Sequence, residues 1–139
     1  MQNTPTPDEL LDLVARYLTE VAMPQLPPAA AFHARVAANV LNVVRRQVAL
    51  APAQDAAELA RLMALGVTAD ASVGVAAGAH PAATDLPAAN AALARAIAEG
   101  RVDSADPALL AHLWQSTFER LAVDQPGYAS YRAEVSRST

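Results

Sequence analysis

Apolar residues recur at helical spacing along most of this chain, and the most ordered run is Phe32-His-Ala-Arg-Val-Ala-Ala-Asn-Val-Leu-Asn-Val-Val-Arg-Arg-Gln47. On a wheel turning about 100° per residue, Phe32, Val36, Val40 and Val43 fall within roughly 80° of one another. A second row of Arg35, Asn39, Asn42 and Arg46 runs beside them at i, i+4, i+7 and i+11. The pattern predicts a central helix from about Ala29 to Leu50, its apolar stripe turned to the core and a polar seam on its shoulder. Before it, Thr6-Pro-Asp-Glu9 reads as a capping box with proline at the first helical position. Leu10, Val14, Leu18 and Val21 follow as the inward face of a first helix, flanked by Leu11 and Tyr17 and ended by Pro24, Pro27 and Pro28.

Beyond Ala51-Pro52, where the central helix is expected to stop, a third helix is predicted from about Gln54 to Leu65. Leu59, Leu62 and Met63 are its apolar residues and Gly66 its C-cap. The short connector predicts an antiparallel pair with the central helix. Residues 66–85 hold three glycines, no large side chain and no sustained period. Such a segment buries too little to offset its ordering entropy, so it reads as a mobile loop, or as a lid that orders over a ligand. A fourth helix spans about Leu86 to Glu99, with Leu93 and Ile97 inward, and closes on Gly100. A fifth starts at Asp106-Pro107, an N-cap with proline after it, and carries Leu109, Leu110, Leu113, Trp114, Thr117 and Leu121 on one face. Trp114 is read as the largest filler of the core, or else as an exposed anchor for a partner. Asp124 to Tyr128 ends that helix, and the tail 129–139 is short, polar and frayed unless Tyr128 and Tyr131 dock it.

Composition supports this reading. Alanine, the best intrinsic helix former, occurs 35 times among the 139 residues, isoleucine once, and aromatics make up 4%. The expectation is an all-α, single-domain bundle of about five helices, ordered over about 6–65 and 86–128. A net charge of −4 gives no basic footprint for nucleic acid. No apolar run spans a bilayer and the first residues carry no signal pattern, so no membrane association and a cytoplasmic location are expected. All ten basic residues are arginine, which removes lysine chemistry, and the lack of cysteine removes thiol nucleophiles and thiolate metal sites.

No catalytic spacing is present: no phosphate-cradling glycine loop, no HExxH and no G-x-S-x-G. The histidines, His33, His80 and His112, are far apart in sequence. His80 falls in the loop and His112 on the rim of the fifth helix. His33, on the shoulder of the central helix, is a half-buried residue bonded to a carbonyl or a general base. Arg35, Asn39, Asn42 and Arg46 have three readings: mutual satisfaction with neighbouring helices, an interface with a partner chain, or an anion clamp built on guanidinium. Arg120 and Asp124, at i and i+4, read as an ion pair at the end of the fifth helix.

Phe32-His-Ala-Arg-Val-Ala-Ala-Asn39, the glycine-ended fourth helix, and Asp106-Pro107 leading to Leu121-Ala-Val-Asp-Gln-Pro126 resemble a small bacterial all-helical family of unknown function. Its members are typically encoded beside, or fused to, aminoglycoside-phosphotransferase-like kinases and acyl-CoA dehydrogenases. The likeness covers about 6–65 and 86–128, F-H-x-R-V-x-x-N being its most specific string, and the segment 66–85 is longer than the usual connector. The resemblance carries no catalytic residue, metal or cofactor. It implies an accessory role by gene association; with the missing catalytic constellation and a polar seam beside an alanine-rich surface suited to helix docking, the expectation is a non-enzymatic homo-oligomer serving a phosphotransferase-like kinase in acyl-CoA-linked or related small-molecule metabolism. The alternative is a small anionic-ligand binder or enzyme built on His33, Arg35, Asn39, Asn42, Arg46 and Arg120, in a pocket between the central and fifth helices.

Overall fold

The structure is a computed structural model that describes residues 5–66 and 85–138 of the chain. Its helices are α1 (Pro7–Arg16), α2 (Pro28–Ala64), α3 (Asp85–Ala98), α4 (Pro107–Asp124) and α5 (Ala129–Ser138), and the described residues include no strand. The fold is all-α, as composition and periodicity predict. The loop expected at 66–85 lies, apart from its two end residues, outside the described residues, and His80 with it. Two compact units divide the chain, Met1–Ala51 and Pro52–Thr139.

In the first unit α1 begins as its sequence demands. The Glu9 N–H donates to Thr6 Oγ1 at 3.3 Å while the Thr6 N–H donates to the Glu9 carboxylate at 2.7 Å, a reciprocal pair that satisfies two donors at the helix start. Past Arg16 the chain widens into a π-helical turn, Tyr17–Ala22, and then tightens into a 3₁₀ turn, Met23–Gln25. Thr19 Oγ1 donates back to the Ala15 carbonyl at 3.1 Å, and Pro24 brings no N–H to continue the ladder. Helix α2 starts on Pro28, with the Ala31 N–H bonded to the Pro27 carbonyl at 2.9 Å.

Two expectations about the central helix are overturned. It does not stop at Ala51-Pro52: α2 runs unbroken for 37 residues with Pro52 inside it, about 55 Å at 1.5 Å per residue. The predicted third helix is its second half, so the two cannot form an antiparallel pair. Proline removes one ladder bond, and the flanking Ala49, Ala51 and Ala53 are strong helix formers that carry the rod across the gap. Second, the apolar stripe does not face this chain's core: Phe32, Val36 and Val40 are 60%, 46% and 56% exposed. Among the described residues of the unit, the buried ones are Ala34 and Ala38 on α2 and Ala15 on α1. Small side chains let the two helices approach closely, and the antiparallel pair is locked by Arg45 reaching Asp8 and Asp12 on α1. The alanine row therefore wins the contact that the valine row was expected to make.

The second unit has a conventional apolar centre. Leu62, Ala89, Leu93 and Leu109 are buried together, fringed by Leu59, Leu65, Leu86, Ala92, Ile97 and Val102. Both glycine caps are present, with φ of 73° at Gly66 and 69° at Gly100. At the second, the Arg101 N–H bonds to the Ala96 carbonyl at 2.9 Å and the Gly100 N–H to Ile97 at 3.0 Å. That pairing closes the last turn of α3 and brings Val102 onto the core. Helix α4 starts on its predicted cap, Asp106 accepting from the Ala108 N–H at 2.8 Å. The frayed tail expected at 129–139 is instead α5, and the Tyr131 ring packs on Phe118 with centroids 4.6 Å apart. The docking tyrosine supplies the contact that a short polar helix needs.

Candidate functional site

The polar seam of the central helix divides on inspection. His33, Arg35 and Asn39 are exposed, the His33 ring lying edge-on to Phe32 at 5.7 Å. Asn42 and Arg46 are half-buried and line a shallow 260 Å³ depression with Asp8, Arg45, Ala49 and Leu50. The organising residue is Arg45, which the sequence reading did not single out. Its Nε and Nη2 donate to Asp8 at 3.0 and 3.2 Å, and its Nη1 to Asp12 and to Asn42 Oδ1, the latter at 3.4 Å. This hydrogen bonding holds the Asp8 carboxyl below its usual range and raises Arg45. Asp12 also accepts Arg16 at 2.9 Å. With two carboxylates on it, Arg45 is a clamp between helices. The readable signal was Asp8 and Asp12 at i and i+4 on one helix, a spacing that places both acids on one face.

Arg120 belongs to the second unit, is exposed, and has Glu58 as its ion-pair partner at 4.0 Å in place of the expected Asp124. Around it lies a polar layer that sequence reasoning missed. Arg61 forks onto Glu119 at 3.1 and 2.6 Å, Gln115 donates to the same carboxylate at 2.9 Å, and Asn90 donates to the buried Glu58 at 3.0 Å. On α4, His112 (3% exposed) and Ser116 are buried at i and i+4. His112 Nδ1, Ser116 Oγ and Arg61 Nε are all buried with no hydrogen-bond partner in the chain. Burial pushes the His112 pKa down and the Arg61 charge adds to it, with Glu58 and Glu119 pulling the other way. A 430 Å³ cleft opens beside this layer, lined by Arg61, Ala64, Leu65, Ala108, Ala111, His112 and Gln115. Glu58 and Arg61 on α2 facing His112, Ser116 and Glu119 on α4 form a matched polar pattern at i+3, i+4 and i+7, which was the available signal.

Because polar and small residues occupy these contacts, large apolar ones are displaced outward. On the first unit, Leu10, Leu13, Val14, Tyr17 and Val21 form one exposed row along α1 and the turn after it. Phe32, Val36, Val40, Val44 and Val48 form a second along α2. On the second unit, Trp114 is 62% exposed beside Leu110 and Leu113, so it is not the core filler expected of it. An outward apolar surface of this extent is what an interaction surface looks like.

Among the described residues no group of three or more His, Asp or Glu could hold a metal ion, and no described helix is long and apolar enough to cross a membrane. The family described as a domain of unknown function (DUF6285) matches residues 24–128, and the chain belongs to it. No curated protein and no solved structure matches the chain.

Proposed function

We propose that this member of the DUF6285 family is a non-enzymatic accessory protein that works by helix docking, with a phosphotransferase-like kinase as its partner. The reading rests on one observation: large apolar side chains lie outside in both units, although the first is held by alanines and the Arg45 ion pairs and the second has a leucine centre of its own. The kinase, and acyl-CoA-linked metabolism as the setting, come from the family resemblance of Phe32 to Asn39 and Asp106 to Pro126. Trp114, with Leu110 one turn before it and Leu113 next to it on α4, is the anchor proposed for that partner. An exposed tryptophan flanked by leucines is a typical binding hot spot. The test is co-expression with a phosphotransferase-like kinase encoded beside the chain. A complex that survives gel filtration at micromolar concentration is expected, and Trp114→Ala should weaken it at least about tenfold. No complex, or one indifferent to Trp114→Ala, overturns the reading.

A small-ligand reading is favoured by a different observation, the cleft that His112 and Arg61 line in the second unit. Its apolar walls and its few polar groups suit a small molecule with a hydrogen-bonding or anionic head. A thermal-shift screen with nucleotides, sugar phosphates and acyl-CoAs tests it, because a ligand that binds only the native state raises the melting temperature. A shift seen in the parent and lost in His112→Leu supports a site at the cleft; a flat screen removes it.

A further inference from the structure

One wall of the cleft in the second unit is a single face of α4. Ala108, Ala111, His112 and Gln115 stand there at i, i+3, i+4 and i+7, opposite the end of α2, and together they enclose 430 Å³. The His112 ring is 3% exposed and makes no hydrogen bond among the described residues. Its Nδ1 is sealed without a partner, so Nε2 is the ring nitrogen left to the cleft. Burial keeps the ring neutral, with one proton to place. Orphaned buried N–H groups are rarer than orphaned acceptors, so that proton belongs on Nε2 and makes it a donor. Gln115 offers the reverse. Its Nε2 donates to the Glu119 carboxylate at 2.9 Å, a group that only accepts, so its carbonyl oxygen is the atom left for another donor. Neighbours at i and i+3 on a helix have Cβ atoms about 5–6 Å apart, which sets one donor and one acceptor side by side.

Charge narrows what can bind. The layer behind the cleft holds two arginines and two carboxylates, and they match one another. Arg61 is forked onto Glu119 at 3.1 and 2.6 Å, and Arg120 stands 4.0 Å from Glu58. No arginine is left over to neutralise an anion, and none of the residues lining the cleft is a carboxylate that could hold a cation. Resting on the small-ligand reading of this cleft, we infer that the group entering it is uncharged and presents an amide-type edge. Its C=O takes the His112 Nε2–H, its N–H goes to the Gln115 carbonyl, and its flat body lies against Ala64, Ala108 and Ala111. Carboxamides, lactams and imides share this edge. A larger molecule enters by such an end and leaves its charged groups in water.

Three probes of nearly one shape test this on the full chain: benzamide, benzoate and benzamidine. Binding is followed by NMR through the His112 ring protons, and by calorimetric titration. Benzamide should shift the ring signals saturably and bind at least about tenfold tighter than either charged analogue. His112→Leu should weaken benzamide at least about tenfold, whereas His112→Gln, whose amide places a donor near the position of Nε2, should keep most of the affinity. Ala111→Trp, at an exposed position of α4, fills the cleft from its rim and should abolish binding; circular dichroism checks the fold of each variant. Benzoate or benzamidine binding as tightly as benzamide and lost in Ala111→Trp overturns the inference and leaves the cleft a ligand site. Benzamide binding that is unchanged in His112→Leu overturns it as well. Binding of all three that survives Ala111→Trp overturns both the inference and the cleft reading. No saturable binding of benzamide up to about 10 mM, the affinity of an ordinary fragment of this size, overturns the inference alone.

Discussion

At the scale of single residues, the first unit is held together where the sequence offers charge and small size. Arg45 is the clearest case, and its acid response has a definite sign. The Asp8 carboxyl lies below its ordinary value of 3.8, chiefly through hydrogen bonds from Arg45. A depressed carboxylate contributes stability that is present above the unfolded value and is lost as the pH falls through the folded one. Thermal melts of the parent and of Arg45→Gln should therefore differ at neutral pH and converge as the pH drops from about 4 toward 2; a constant gap across that range would refute the clamp. His112 is the opposite kind of residue. Its buried neutral imidazole sits below the usual 6.5 because of desolvation first and Arg61 second. Its contribution is present above about 6.5 and is lost as the pH falls from there through the lower folded value. NMR titration of the ring should give a pKa under 6.5. His112→Leu should match or exceed the parent in urea stability by about 1 kcal/mol, by removing an unpartnered buried nitrogen, and should lose the dip in mildly acid solution. Neither role was legible in advance. An isolated arginine or histidine in a sequence shows its chemistry, and its partners come from another helix.

Helices themselves were far more readable than the way they face. Thr6 with Glu9, Asp106 with Pro107, and Gly66 and Gly100 all mark ends that the structure reproduces, because a cap depends on a few neighbouring residues. The break at Pro52 was misread for the reverse reason. Proline sets a local cost, and whether a helix absorbs it depends on the long flanks on either side. Those flanks make a direct prediction: Pro52→Ala should restore the missing ladder bond and stabilise the chain toward denaturant by up to about 3 kcal/mol. Loss of helical circular dichroism, or a lower urea midpoint, would mean that α2 needs its proline. Wheel analysis of α2 set Phe32, Val36 and Val40 beside Arg35, Asn39, Asn42 and Arg46; in the structure the three apolar residues are exposed along with Arg35 and Asn39, while Asn42 and Arg46 are half-buried. What it could not supply was which side the chain keeps for itself. Apolar periodicity identifies a face that leaves water; the partner that removes it from water can be the same chain or another one. On α4 the same ambiguity placed Trp114 inside when it is outside, and His112 on the rim when it is buried.

For the whole molecule, the consequence is thermodynamic. Among the described residues of the first unit the buried apolar side chains are the alanines Ala15, Ala34 and Ala38, with Leu11, Leu18, Leu41 and Val43 half-buried around them, so the unit removes little apolar surface from water. A hairpin with so small a centre takes little apolar surface of its own out of water, so self-association that covered its outer rows would add to its stability. For a two-state dimer the melting midpoint then rises with protein concentration, since mass action favours the associated native state. Scans of the full chain from about 1 to 100 µM should show a steady upward shift of several degrees. Val40→Glu should show a lower midpoint that is independent of concentration, because its remaining stability is that of the single chain. A parent midpoint that stays fixed across the series would mean that the alanine contacts and the Arg45 clamp suffice, and that the valine rows meet water in the working protein.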